Sequence, residues 1–147
     1  SVTMMPASGQ NEIHIALQVG GSVVVNVDCV LTFDITPKRD MHVYAPGKHD
    51  YQVIAVKIDP QPWLKAAPTT YPPSEIYHFK ELDEKVETYS KPFTLVQDVA
   101  ILNTADAKKA LAASPVALTG RLEYQACDDK VCYAPTKVPV SFALTVK

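Results

Sequence analysis

The sequence predicts an all-β fold, an antiparallel sandwich with one short connecting helix, on three observations. Apolar residues recur at every second position from about residue 11 onward, the period of a strand with one buried face. Helical periodicity is nearly absent. Glycine and proline clusters cut the alternating runs into short segments, as turns do.

The elements follow in order. Ile13, Ile15 and Leu17 alternate with polar neighbours until Gly20-Gly21 interrupts them, and Val23, Val25, Val27, Leu31, Phe33 and Ile35 resume the period. That pattern reads as a hairpin. A third run sets Ile54, Val56 and Ile58 on one face. Pro60, Pro62, Pro68, Pro72 and Pro73 make residues 59–74 an extended connection crossing the sandwich, because proline lacks the backbone donor that strands and helices use. A fourth run spans Phe93 to Ile101. Only Thr104 to Ala113 reads as helix, with Thr104 as N-cap, Asp106 in the first turn and good helix formers behind it.

Two clean strands close the chain. In one, Val116, Leu118, Leu122 and Tyr124 alternate with Thr119, Arg121, Glu123 and Gln125; in the other, Val138, Val140, Phe142, Leu144 and Val146 alternate with Ser141, Thr145 and Lys147. Roughly six to eight short strands favour two packed sheets of the immunoglobulin type. Residues 1–10 read as an N-terminal extension and 11–147 as a single domain. The start at Ser1, without an initiator Met, fits a removed leader or a longer parent chain.

At 147 residues such a domain buries roughly two-thirds of its unfolded surface, so it needs no disulfide merely to fold. No apolar run approaches the roughly 20 residues that cross a bilayer, so no direct membrane insertion of this chain is expected. The 14 basic and 16 acidic residues are spread along the chain; without a basic stripe, no nucleic-acid partner is expected.

The 3 cysteines are too few for a disulfide scaffold. Cys29 falls in phase with Val25, Val27, Leu31 and Phe33 and reads as a core thiol, a small hydrophobe; a partner thiol is the other reading. Cys127 and Cys132 lie in the loop joining the last two strands, where a hairpin tip brings their Cα atoms within bridging range of about 6 Å. As a staple, closing a loop of about six residues constrains the unfolded chain by only about 2 kcal/mol. Short loops strain disulfides, and strained or exposed disulfides are the labile ones. Reversible redox chemistry is therefore favoured over a structural staple, and both over metal binding.

Asp128 and Asp129 are hard oxygen donors, poorly matched to soft thiolates. His14, His42, His49 and His78 form no HExxH motif, and Met41 with His42 is a weak copper signal. No cofactor is expected. Around the pair, Asp128 and Asp129 disfavour a nearby thiolate and Lys130 favours one. The thiols should not be unusually acidic, so the pair reads as a receiver that exchanges when docked.

The run LEYQACDDKVCYAP, Leu122 to Pro135, resembles the redox segment of the N-terminal periplasmic domain family of the thiol:disulfide interchange protein DsbD. The shared pattern is a strand ending in Tyr-Gln-x-Cys, here with Tyr124, an acidic loop with Asp128 and Asp129, a second Cys, and an aromatic residue, Tyr133, before Pro135. ETYSKPFTL, Glu87 to Leu95, and DMHVYAPGKHDY, Asp40 to Tyr51, extend the similarity. The resemblance implies an immunoglobulin-like fold, a periplasmic or otherwise exported location, and an oxidoreductase relay. In that relay Cys127 and Cys132 carry electrons between thioredoxin-fold proteins acting as donor and acceptor, the chain being either a fragment tethered to a membrane domain in a longer protein or a stand-alone relative. It also implies shielding of the cysteines: Tyr44 matches one tyrosine of a neighbouring strand, His42 stands where another would be, and Leu82 replaces the aromatic of a cap loop. Cys132, emerging after the acidic turn, is expected to join the partner, and Cys127 to resolve the mixed disulfide. The alternative is a non-catalytic exported binding module stapled at one hairpin.

Overall fold

The computed structural model describes residues 4–6, 12–16, 21–28, 30–112 and 116–146. In chain order the strands are β1 (Met4–Pro6), β2 (Glu12–Ala16), β3 (Gly21–Asp28), β4 (Val30–Pro37), β5 (His42–Tyr44), β6 (Ala55–Ile58), β7 (Leu64–Ala66), β8 (Glu75–Phe79), β9 (Glu84–Tyr89) and β10 (Phe93–Ile101). Helix α1 (Ala105–Leu111) precedes β11 (Val116–Tyr124), β12 (Ala126–Cys127) and β13 (Thr136–Val146). The fold is an all-β sandwich with one short α-helix, as the alternation predicts. One sheet runs β1-β13-β11-β6, a second β2-β3-β4-β10-β7, and a third, smaller one β12-β5-β9-β8. One core joins them: Leu31, Phe33, Ile35 and Leu95 from the second sheet meet Leu118, Leu122, Tyr124 and Val140 from the first and Val43 and Tyr89 from the third.

The alternating stretch from Val23 to Ile35 is two strands rather than one. Val23 pairs with Ile35, Val25 with Phe33 and Val27 with Leu31. The register sets odd-numbered residues of β4 opposite odd-numbered residues of β3, so the period of two carries from one strand into the next. Alternation reports the face of a strand and not its direction. Cys29, the expected core thiol, lies outside the described residues. The expected hairpin before it is present, with Ile13 opposite Val25 and Ile15 opposite Val23. Met4–Pro6, within the stretch read as an extension, pairs with Val146 to Leu144 at a sheet edge; three residues carry no readable period.

The proline-rich connection also contains a strand. Leu64–Ala66 pairs with Ile101 to Val99, and Thr70 and Val96 exchange backbone hydrogen bonds at 2.8 and 3.2 Å. Trp63 is buried beneath this crossing. The strand escapes the proline rule because it sits between prolines, on a sheet edge. Helix α1 forms as expected: the Thr104 hydroxyl accepts from the Ala107 amide at 3.0 Å, and Ala107 and Leu111 bury one face.

The β11–β13 hairpin positions the cysteines. Its register holds from Val116 opposite Leu144 to Tyr124 opposite Thr136, and buried Leu118, Gly120, Leu122 and Tyr124 fix which face points inward. Strand β6 lies so close that a Cβ at Gly120 would fall 2.5 Å from the Lys57 carbonyl oxygen; glycine permits that approach. At Gln125 the chain leaves this sheet, and Ala126 and Cys127 pair instead with Val43 and His42. The cysteine pair thus stands where the chain changes sheets.

Candidate redox site

Pairing register collects the site on one face of the third sheet. Cys127 lies opposite His42, Tyr44 opposite Thr88, and Val86 opposite Tyr77. Side chains two residues apart share a face, so Cys127, His42, Tyr44, Val86, Tyr77 and Phe79 point the same way. Tyr44, Val86 and Cys127 bury one another in a small apolar cluster, with Tyr51 packed against it.

Cys127 and Cys132 are joined in a disulfide, with Cα atoms 4.1 Å apart. They face each other across an antiparallel bridge, flanked by hydrogen bonds from the Tyr133 amide to Ala126 and from the Asp128 amide to Val131, both 2.9 Å. The two sulfurs differ in access. Cys127 is fully buried, whereas Cys132 is exposed. Exposed Val131 and Tyr133 flank it, at 52% and 41%.

Asp128 has a second role beyond its charge. Its Oδ1 accepts from the amides of Lys130 at 2.8 Å and Val131 at 2.6 Å, closing the turn between the cysteines as aspartate does at the first position of many turns. Those backbone hydrogen bonds hold its carboxyl below the ordinary carboxylate range, with help from Lys130 and His42. Asp129 is exposed and lines a cleft beside His42.

Tyr44 touches both sulfurs. Its hydroxyl donates to Cys127 Sγ at 2.9 Å and lies 3.7 Å from Cys132 Sγ. Burial first, then Tyr51, Glu84 and Tyr77, pushes that hydroxyl far above its ordinary value, so it stays protonated as a donor. Tyr51 stacks on its ring at 4.3 Å and 6°. His42 Nε2 lies 3.3 Å from the Tyr44 oxygen, and burial, opposed by Asp128, lowers its affinity for a proton.

Tyr77 and Phe79 are site neighbours that sequence reasoning missed. Tyr77 stacks on His42 at 4.4 Å and 28°, and Phe79 meets both rings edge-on. Their signal was present: they alternate with Ile76 and His78 along β8, but both sets are bulky, so no polar contrast marked the face. Leu82 is 67% exposed in a 3₁₀ turn, Lys80–Leu82, at the tip of the β8–β9 hairpin. Asp83 follows it in the left-handed region, φ 46°, and accepts from His78 at 3.2 Å. Tyr124 belongs to the main core rather than to the cysteine cluster. Among the described residues, no three His, Cys, Asp or Glu side chains converge as a metal donor set.

The arrangement can present one accessible sulfur to an incoming thiolate while a buried sulfur, held by a hydroxyl donor, stands ready to leave. A family model described as thiol:disulfide interchange protein DsbD, N-terminal, matches residues 23–143. Comparison with curated proteins gave no match. The matched span takes in strand β5, the β8–β9 hairpin and both cysteines of the disulfide.

Proposed function

The chain belongs to the N-terminal domain family of the thiol:disulfide interchange protein DsbD, and from that membership we propose that it is a periplasmic relay carrying electron pairs between thioredoxin-fold proteins on Cys127 and Cys132. The observation that carries the reading is the asymmetry of the disulfide: an exposed Cys132 with apolar neighbours, and a buried Cys127 under the Tyr44 hydroxyl.

A donor's thiolate attacks Cys132 Sγ. The new intermolecular bond forms as the Cys127–Cys132 bond breaks, and Cys127 leaves as a thiolate. The donor's second thiolate then attacks its own linked sulfur, releasing Cys132 and leaving the donor oxidised. Delivery runs in reverse: Cys132 attacks the acceptor's disulfide, and Cys127 resolves the mixed disulfide. Val131 and Tyr133 supply a small apolar rim for docking. A cap role for Leu82, which stands exposed at the hairpin tip, extends only to shielding the already exposed Cys132 from small thiols. Tethering to a membrane domain would place the relay beside its donor; no helix among the described residues is itself long and apolar enough to cross a membrane.

A redox titration against glutathione or a thioredoxin-fold partner tests the reading. A relay equilibrates between roughly −120 and −270 mV, whereas a structural staple lies below about −300 mV. A value in the lower range would replace the relay with a binding module stapled at one hairpin.

A further inference from the structure

We propose that His42 is the proton relay of this site: acting through Tyr44, it passes a proton from the adjoining cleft to Cys127 Sγ as that sulfur leaves, and takes it back on reoxidation. The inference rests on the exchange reaction proposed above, and it concerns a group that exchange by itself does not require.

The hydrogen-bond count leads to it. A tyrosine hydroxyl has one proton to donate, and that of Tyr44 is directed to Cys127 Sγ at 2.9 Å. With that proton assigned to Cys127 Sγ, the contact with His42 Nε2 at 3.3 Å runs from Nε2–H to the oxygen, the tautomer that the relay uses. The result is a directed chain, imidazole to hydroxyl to sulfur, ending on an atom with no solvent contact. At its other end, His42 is only 3% exposed but lines an open cleft of about 690 Å³ with Arg39, Asp40, Tyr77 and Asp129.

Chemistry supplies the need. When the partner's sulfur bonds to Cys132, a negative charge appears on Cys127 inside an apolar cluster, where it is costly. Tyr44 can quench it only by giving up its proton, and a tyrosinate in that position would face the same burial beside Glu84. A refill of the hydroxyl removes the difficulty. The Tyr44 proton moves to Cys127 Sγ, the His42 Nε2 proton moves to the Tyr44 oxygen, and His42 Nδ1 takes a proton from water in the cleft. The products are a neutral thiol, a neutral phenol and the other neutral imidazole tautomer, so one solvent proton is consumed for the one thiolate formed.

The groups facing His42 suit this role. Tyr77 stacks on it from β8, Tyr44 stands two residues along its own strand, Cys127 faces it from β12, and Arg39, Asp40 and Asp129 share the cleft. Burial keeps the ring neutral at rest while Asp128 draws protons toward it. A purely structural His42 would be an aromatic wall against Tyr77 and Phe79, a part that other planar side chains could fill.

The test is stopped-flow reduction of the oxidised domain by dithiothreitol from pH 5.5 to 8, each rate divided by the reagent's thiolate fraction. Wild type should give a corrected rate that rises as pH falls, since His42 Nδ1 takes its proton from the cleft more readily at higher proton concentration. In His42→Gln, which keeps an N–H donor to Tyr44 but cannot relay, the profile should be flat and about 100-fold lower at pH 6, the low end of general-acid effects. Tyr44→Phe, which keeps the ring packing, should flatten it equally, and the double variant should be no slower than the slower single one, because the two act as a unit. A His42→Gln or Tyr44→Phe profile parallel to wild type, in folded protein, overturns the relay of protons alone. A wild-type disulfide that resists reduction at every pH overturns the proposed function as well.

Discussion

The two sulfurs should differ in reactivity by about two orders of magnitude, and the difference follows from what packs on each. Single-thiol variants isolate them: Cys127→Ser leaves Cys132, and Cys132→Ser leaves Cys127, both in a Cys29→Ser background. Cys132 is exposed and needs no opening. Cys127 reaches solvent only if the cluster it shares with Tyr44 and Val86 opens. Re-exposing a large apolar side chain costs about 1.5–3 kcal/mol, so uncovering two costs at least about 3 kcal/mol. At about 1.4 kcal/mol per decade, the open form is populated at below roughly one part in 100. Reaction with dithiobis(nitrobenzoate), followed by absorbance of the released thiolate, should therefore be about 100-fold faster for the Cys132 thiol. The same ordering should appear with a thioredoxin-fold partner that lacks its resolving cysteine and carries its remaining sulfur as the thionitrobenzoate mixed disulfide: Cys127→Ser displaces thionitrobenzoate and accumulates the partner-linked disulfide, and Cys132→Ser does not. Rates within threefold of each other, or trapping through Cys127, would refute both the packing estimate and the assigned roles.

Further outcomes follow from other parts of the structure. Leu82→Ala should speed reduction by dithiothreitol if the hairpin tip caps the disulfide; an unchanged rate in a folded protein would remove Leu82 from that role. Gly120→Ala should lower stability by about 1–3 kcal/mol in urea titration, since the new Cβ meets backbone at Lys57 rather than a movable side chain. Thr104→Ala should lower it by about 1 kcal/mol through loss of the helix cap. Acid should destabilise the fold in two windows. For His42, whose proton affinity is lowered by burial, the contribution is complete above its ordinary value and lost as pH falls below it, because the unfolded chain then binds a proton the folded one refuses. For Asp128, held low by the turn amides, it is present above the ordinary carboxylate range and lost only as pH falls through the depressed folded value. Urea midpoints against pH should lose the upper window in His42→Gln and the lower one in Asp128→Asn.

Much of the fold was written in alternation. Strands β10, β11 and β13 and the capped helix α1 stand where period and capping chemistry place them. The change of direction from β3 to β4 was hidden because their register preserves parity, and β1, β5, β7 and β12 are too short to establish a period. The cysteine pair was legible from its spacing alone. Its surroundings were not: the Tyr44–Cys127 contact joins residues 83 positions apart, beyond any local pattern, and only resemblance to a family pointed to Tyr44 and His42. Asp128 was read as a charge near sulfur. Its grip on two turn amides follows from where aspartate sits in a turn, a signal available in the sequence but outweighed there by electrostatics.

The ties around the disulfide do not depend on it. Cys127 is held by β12 against β5, the turn by Asp128, and Tyr133 by Ala126, none of them through sulfur. In the relay proposed above, cutting the S–S bond would leave these ties in place, so the oxidised and reduced forms would present nearly the same face. A partner would then be unable to sort them at a distance; it would have to land, try the exposed sulfur, and leave if no exchange followed. Every futile landing by the wrong form occupies the partner for one residence time. Throughput in such a system is served by brief, small-footprint encounters, the kind made through less than about 1,200 Å² of buried surface, and tightening the grip would slow the traffic rather than speed it.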